Sequence, residues 1–263
     1  MAEKKFDTSK SDSQATQVQP IDVADFPFDT YTDYCGSRFD RCKAFVESGS
    51  GILVYRRVRV ADVFAAGCRD MKSSLELQLA ALKMSMGFEA DVPNFLEPWY
   101  GIGMVAGSFG IDYQWHPGQA PATRPSFQTI DEALAYDIKP VGLTEAGKHS
   151  LQMIGYFLEK TGGRLPMSMG DIQSPFNNAT NIVDTSNFLI SVLTEPEKVM
   201  HFLDVITDLQ IDFYKQQQQL IGDALVRPGH GRSQSRRTVC RCIEGFGHHP
   251  QCPHCRGSCY CCR

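Results

Sequence analysis

Residues 167–215 read MSMGDIQSPFNNATNIVDTSNFLISVLTEPEKVMHFLDVITDLQIDFYK. They open inside a short apolar segment, Leu165 to Met169, which has the length and bounds of a strand. Gly170-Asp-Ile-Gln-Ser-Pro175 follows as a loop rich in polar groups. Thr194-Glu-Pro-Glu197 has the spacing of a capping box, with proline tolerated in the first helical turn. Val199, Phe202, Leu203, Ile206, Leu209 and Phe213 then mark one face of a helix that runs toward Leu220. Strand, polar loop and long amphipathic helix in this order make a βα unit.

The same alternation recurs on both sides. Upstream, a short helix is predicted around Arg38 to Val46, and Ile52, Leu53, Val54 and Tyr55 read as a strand after Gly49-Ser-Gly51. Asp70 is placed to cap a helix whose stripe is Met71, Leu75, Leu79, Leu82 and Met86, with Gly87 ending it. Val92 to Leu96 is a second strand, followed by a small, apolar turn or short helix from Gly101 to Gly110. Breakers between Trp115 and Pro125 mark a loop. Thr144 opens another helix, with Leu151, Ile154 and Leu158 on one face and Gly162-Gly163 as its stop. Downstream, Ala224-Leu-Val226 is a fourth strand, running into Arg227-Pro-Gly-His-Gly231. Strands alternating with helices predict an α/β protein with a parallel sheet. No GxGxxG follows a strand, and neither GxxxxGK[ST] nor GxSxG occurs, which removes the usual nucleotide-binding and hydrolase signatures. The remaining common solution is a (β/α)8 barrel, whose chemistry lies at the C-terminal ends of strands, where Glu97, Asp171 and His230 fall.

Composition narrows the class. The chain has 263 residues, 42% hydrophobic and 21% charged, as an ordinary globular protein has. Its formal charge of −4 gives no reason to expect a nucleic-acid partner, and no apolar run reaches the roughly 20 residues of a membrane helix. Residues 1–37 form a lead-in whose first twenty positions are polar and read as disordered, without the apolar stretch of a signal peptide. A cytoplasmic protein is the expectation. The averages conceal a break at Gly231. Seven of the ten cysteines lie between Cys240 and Cys262, and residues 232–263 carry six Arg and one Glu. That leaves 20 basic and 29 acidic residues in 1–231, a net charge of −9.

The stretch 167–215 resembles the uroporphyrinogen decarboxylase superfamily, with its barrel strand, Gly/Pro loop, ordered helix and EPE-x-V helix. NFLEPWYGIGMVAGSFG, residues 94–110, is similar to the strand and loop that open the site in divergent branches. The resemblance spans roughly residues 38–231 and implies a TIM barrel. It implies one of two activities: cofactor-independent decarboxylation of a tetrapyrrole or related carboxylated substrate, or zinc-dependent methyl transfer from a corrinoid to a thiol. The decarboxylase's Arg-Gln-Ala-Gly-Arg-Tyr type loop is absent: Arg56, Arg57 and Arg59 follow the first strand but do not make that motif, and no His-x-Cys zinc set precedes Gly231.

Decarboxylating a pyrrole acetate calls for a carboxylate facing a cationic, protonated ring and for cations that hold the other carboxylates. Glu97 and Asp171 are the candidate catalytic acids, each with a plain strand-end acid as the competing reading. Arg56 and Arg57 are candidate substrate-binding cations; Arg57 and Arg59 share strand parity, which sets Arg56 on the other face. Trp99 and Tyr100 are read either as walls of a substrate pocket or as core. A substrate-binding or other ligand role, a proton-transfer role and an ordinary turn position are all open to His230. Cys35, Cys42 and Cys68 have no close partners in sequence.

In the tail, Cys240, Cys242, Cys252 and Cys255 have zinc-ligand spacing. The abrupt end of the family pattern at Gly231, followed by an Arg/Cys/His/Gly/Pro/Ser mixture, favours an out-of-frame continuation over a zinc module. Reading the encoding DNA in its other two frames after codon 231 decides between them. With 38–231 supplying four or five βα units, the expectation is an incomplete barrel. Its open edges favour aggregation, or pairing such as a homodimer, and leave the chain weakly stable and nearly inactive. The expected partners are a small-molecule substrate and, for methyl transfer, a corrinoid protein.

Overall fold

The computed structural model describes residues 16–226 apart from 49, 53, 89 and 117. His230 and the tail residues Cys240, Cys242, Cys252 and Cys255 lie outside the described residues. The helices are α1 (Phe28–Ser48), α2 (Met71–Ser85), α3 (Ile130–Leu134), α4 (Glu145–Thr161), α5 (Pro175–Ile182), α6 (Thr185–Thr194) and α7 (Pro196–Ile221). Between them, Tyr55 bridges Val92, Leu96 bridges Met167, and Met167 bridges Leu225, all in parallel. The bridged segments therefore lie side by side in chain order, each separated from the next by helices, as parallel pairing requires.

The pairing is by single bridges, not long ladders. Pro93 and Pro166 sit inside the paired segments and have no N–H to give. Side chains replace part of the ladder. Asn94 Oδ1 accepts from the Val58 N–H at 2.8 Å, and Asn94 Nδ2 donates to the Arg56 carbonyl at 2.9 Å. Asp91 Oδ2 accepts from the Val54 N–H at 2.8 Å. The strand expected at 52–55 is thus reduced to the Tyr55 bridge, and Ile52 and Val54 face solvent. The expected 224–226 strand is a 3-10 turn, Gly222–Ala224, followed by the bridge at Leu225.

The helix signals hold more closely. Asp70 accepts from the N–H groups of Lys72 and Ser73 and opens α2, whose Leu75, Leu79 and Leu82 are buried. Thr144 accepts from the Gly147 N–H at 3.0 Å, and left-handed Gly162 closes α4. The Gly101–Gly110 segment contains a buried 3-10 helix, Met104–Phe109. The short helix expected at Arg38–Val46 begins earlier, at Phe28, and buries Tyr31 and Cys35. The capping box at Thr194–Glu197 does not form. Thr194 is the last residue of α6, and its hydroxyl donates back to the Ile190 carbonyl at 3.1 Å. Glu195 stands at the α7 N-cap without a side-chain cap bond, and its carboxylate pairs with Lys198 at 2.8 Å.

One apolar core lies under α2 and α4, around Leu79, Leu96, Phe157 and Met167. A second lies between the Met104–Phe109 turn and α7, around Phe109, Phe188, Phe202 and Phe213. A third, around Phe64, Cys68 and Trp99, underlies the residues that follow the Tyr55 bridge.

Candidate functional site

Glu97 follows the Leu96 bridge directly and is 8% exposed. Its backbone is held by one side chain. Gln78 Nε2 donates to the Glu97 carbonyl at 2.9 Å, and the Glu97 N–H donates to Gln78 Oε1 at 2.7 Å. This reciprocal pair takes the place of a neighbouring strand. Removing it in Gln78→Leu strands two buried backbone groups, and the expected cost is about 2–4 kcal/mol, read as a lower denaturation midpoint.

The Glu97 carboxylate forms an ion pair with Arg57. Burial raises its pKa above the usual carboxylate range; Arg57 and, more weakly, Arg59 pull it down, and the charge of Asp171 pushes it up. Glu97, Arg57, Arg59 and Asp171 therefore share one electrostatic site. The Arg57 and Arg59 guanidinium groups both lie over the Phe64 ring, at 4.9 and 4.2 Å.

Asp171 is presented by a loop that α7 clamps. The Gly170 N–H donates to Gln217 Oε1 at 2.7 Å, and Gln210 Nε2 donates to the Gln173 carbonyl at 2.9 Å. Asn178 Nδ2 donates to the Ile172 carbonyl at 2.7 Å. Asp171 Oδ1 accepts from the Gln173 N–H at 3.0 Å, and Gln173 takes a left-handed φ of 53°. A non-glycine residue in that region is held there by its surroundings. Asp171 itself is exposed, so the loop faces its carboxylate to solvent beside buried Glu97.

The other sequence candidates are placed differently. Arg56 turns away from Glu97 and lies 3.8 Å from the Phe88 ring centroid. Trp99 is core, edge-on to Phe64 at 5.3 Å. Tyr100 is buried, stacks on His149 at 3.8 Å and lines a cleft beside the site. Cys35, Cys42 and Cys68 are buried free thiols, and burial pushes Cys35 and Cys68 up to about 12. At such values they stay protonated and unreactive. Sequence reasoning missed Gln78, Gln210 and Gln217. Their signal was present: each is a polar residue on the buried face of an amphipathic helix.

Among the described residues no helix is long and apolar enough to cross a membrane. Over residues 36–226 the chain matches the uroporphyrinogen decarboxylase (URO-D) family. No curated protein matches it. Among solved structures, a methyltransferase from Methanosarcina mazei superposes with a TM-score of 0.49 at 14% sequence identity, covering 81% of this chain and 53% of that one. The chain thus spans about half the length of that methyltransferase.

Proposed function

Because the chain belongs to the uroporphyrinogen decarboxylase family, whose fold is of the TIM-barrel type, we propose that it decarboxylates a carboxylated small molecule of the tetrapyrrole kind, with Glu97 as the catalytic carboxylate. The observation that carries this is Glu97 itself: a buried carboxylate with a raised pKa, paired with an arginine, at the end of a bridged segment. In a pyrrole acetate, a proton adds to the ring α-carbon next to the carbon that bears the acetate arm and leaves a ring cation. The C–CO2 bond then breaks, its electron pair forms a double bond from the arm carbon to the ring and neutralises the cation, and CO2 departs. The arm carbon then takes a proton to become a methyl group, and the proton added to the ring leaves. Ionised Glu97 stabilises the cation, while Arg57 and Arg59 meet the substrate's remaining carboxylates.

We read the bridged segments as one wall of an incomplete (β/α)8 barrel. Among the described residues, the parallel series ends at Tyr55 on one side and at Leu225 on the other. A second copy of the chain is the proposed cover for the open edges.

The alternative, corrinoid-linked methyl transfer to a thiol, calls for zinc held by His and Cys. Among the described residues no three His, Cys, Asp or Glu side chains gather, so these residues do not make that site.

The test is CO2 release from uroporphyrinogen by the full chain. Release that depends on Glu97 supports the proposal, and its absence sinks it. The same assay carries a finer prediction. Arg57 lowers the Glu97 pKa, so Arg57→Met moves the acid limb of the pH–rate profile to higher pH. A limb that stays in place assigns the titration to another group.

A further inference from the structure

A cleft of about 410 Å³ lies between the Met104–Phe109 turn and the start of α4, and Glu97, Arg57 and Asp171 are not among its lining residues. The volume is that of a small-molecule site. One wall is aromatic. Tyr100, Tyr113 and Trp115 contact one another with ring centroids 5.4 to 6.0 Å apart. Arg69 lies over the Trp115 ring at 5.2 Å, at the cleft.

The rest of the lining supplies hydrogen-bond donors. Ser108 lines the cleft and is fully buried, yet its hydroxyl has no hydrogen-bond partner. A buried hydroxyl left without a partner destabilises the fold, and a ligand bond at this position recovers that cost. Lys139 stands next to it, its N–H donating to the Ser108 carbonyl at 3.1 Å. Among the described residues its side chain has no ion-pair partner. Glu145 and Ala146, in the first turn of the 17-residue helix α4, also line the cleft. Their N–H groups have no acceptor within the helix, and the positive end of the helix dipole points there.

From the buried Ser108 hydroxyl, the two cations and the aromatic wall, we propose that this cleft binds a small aromatic monocarboxylate. The ring lies along Tyr100, Tyr113 and Trp115, and the carboxylate takes hydrogen bonds from Ser108 and Lys139. The lining carboxylates Asp112 and Glu145 balance Arg69 and Lys139, so the cleft is formally neutral and disfavours multiply charged anions. The site is independent of the decarboxylase proposal. Loss of CO2 release leaves it standing.

Benzoate is the probe, titrated into the full chain by calorimetry, with inorganic phosphate and benzylamine as controls. Benzoate binds and the two controls do not. Ser108→Ala and Lys139→Met each weaken benzoate about tenfold, the size of one hydrogen bond to a charged group. Neither variant lowers the unfolding temperature, because the hydroxyl has no partner to lose and Lys139 is exposed. Failure of benzoate to bind, binding that both variants leave unchanged, or equal binding of phosphate or benzylamine overturns the proposal.

Discussion

Glu97→Gln is expected to remove turnover while leaving the protein at least as stable as the parent at neutral pH. The two effects have one origin. In catalysis the substitution removes the buried carboxylate of the site, and electrostatic groups of this kind carry about 100-fold to 1,000-fold in rate. In folding, the same charge is a burden. Burial raises the Glu97 pKa above its value in the unfolded chain, with Asp171 adding to the rise and Arg57 opposing it. A carboxyl group with a raised folded pKa binds its proton more tightly when folded. Its contribution to stability is therefore complete below the unfolded pKa and is lost as pH rises through the folded one. At neutral pH the parent carries that loss, and glutamine, which has no charge to desolvate, does not. Gln78 bonds Glu97 through its backbone and keeps both those bonds in the variant. The check is denaturant unfolding of parent and variant at pH 7 and again below pH 4. The gap favouring the variant at pH 7 closes in acid. A variant less stable than the parent at pH 7, with the gap closing in acid, would mean that the Arg57 pair outweighs burial.

How far the sequence could be read depended on which atoms form the pairing. Helix α2 was legible because its signals are local: Asp70 caps it, and Leu75, Leu79 and Leu82 recur at helical spacing. The order of the bridged segments was legible too, since Tyr55, Val92, Leu96, Met167 and Leu225 all fall in or at the ends of apolar runs. Their brevity was less so. Pro93 and Pro166 remove donors, and the chain compensates through Asn94 and Asp91 side chains, which carry no periodic mark. The Thr194–Glu197 motif misled because a capping box assumes that its threonine precedes the helix. Here α6 runs through Thr194 and α7 begins two residues on. At the site, Glu97 and Asp171 stood out as acids at strand ends. The clamps that hold them, Gln78, Gln210 and Gln217, were hidden because helix stripes are counted by their apolar members.

Gly147→Ala and Gly155→Ala, two substitutions in the same helix, are expected to act in opposite directions. Helix propensity alone treats them alike, since alanine is favoured over glycine by about 1 kcal/mol in a helix interior. Gly155 follows that rule. Nothing lies within 4 Å of a Cβ built there, so alanine should raise stability by up to about 1 kcal/mol. Gly147 sits in the first turn of α4, buried against the 3-10 turn Val141–Leu143. A Cβ there collides with the Val141 carbonyl oxygen and lies 2.6 Å from its carbonyl carbon and 3.1 Å from the Gly142 Cα. These are backbone atoms, which cannot swing aside as a side-chain tip does. The turn is pinned as well: the Thr144 hydroxyl donates to the Val141 carbonyl at 2.7 Å and accepts from the Gly147 N–H at 3.0 Å. Relieving the overlap means separating α4 from that turn and breaking the cap. Overpacking of this kind costs about 1–3 kcal/mol, and losing the cap adds about 1 kcal/mol. Gly147→Ala should therefore lower stability by roughly 2 kcal/mol net of its propensity gain, and should distort the cleft that Thr144 and Glu145 line. Urea unfolding of the two variants beside the parent measures both signs at once. Equal shifts in one direction would show that the Val141–Leu143 turn yields freely to α4.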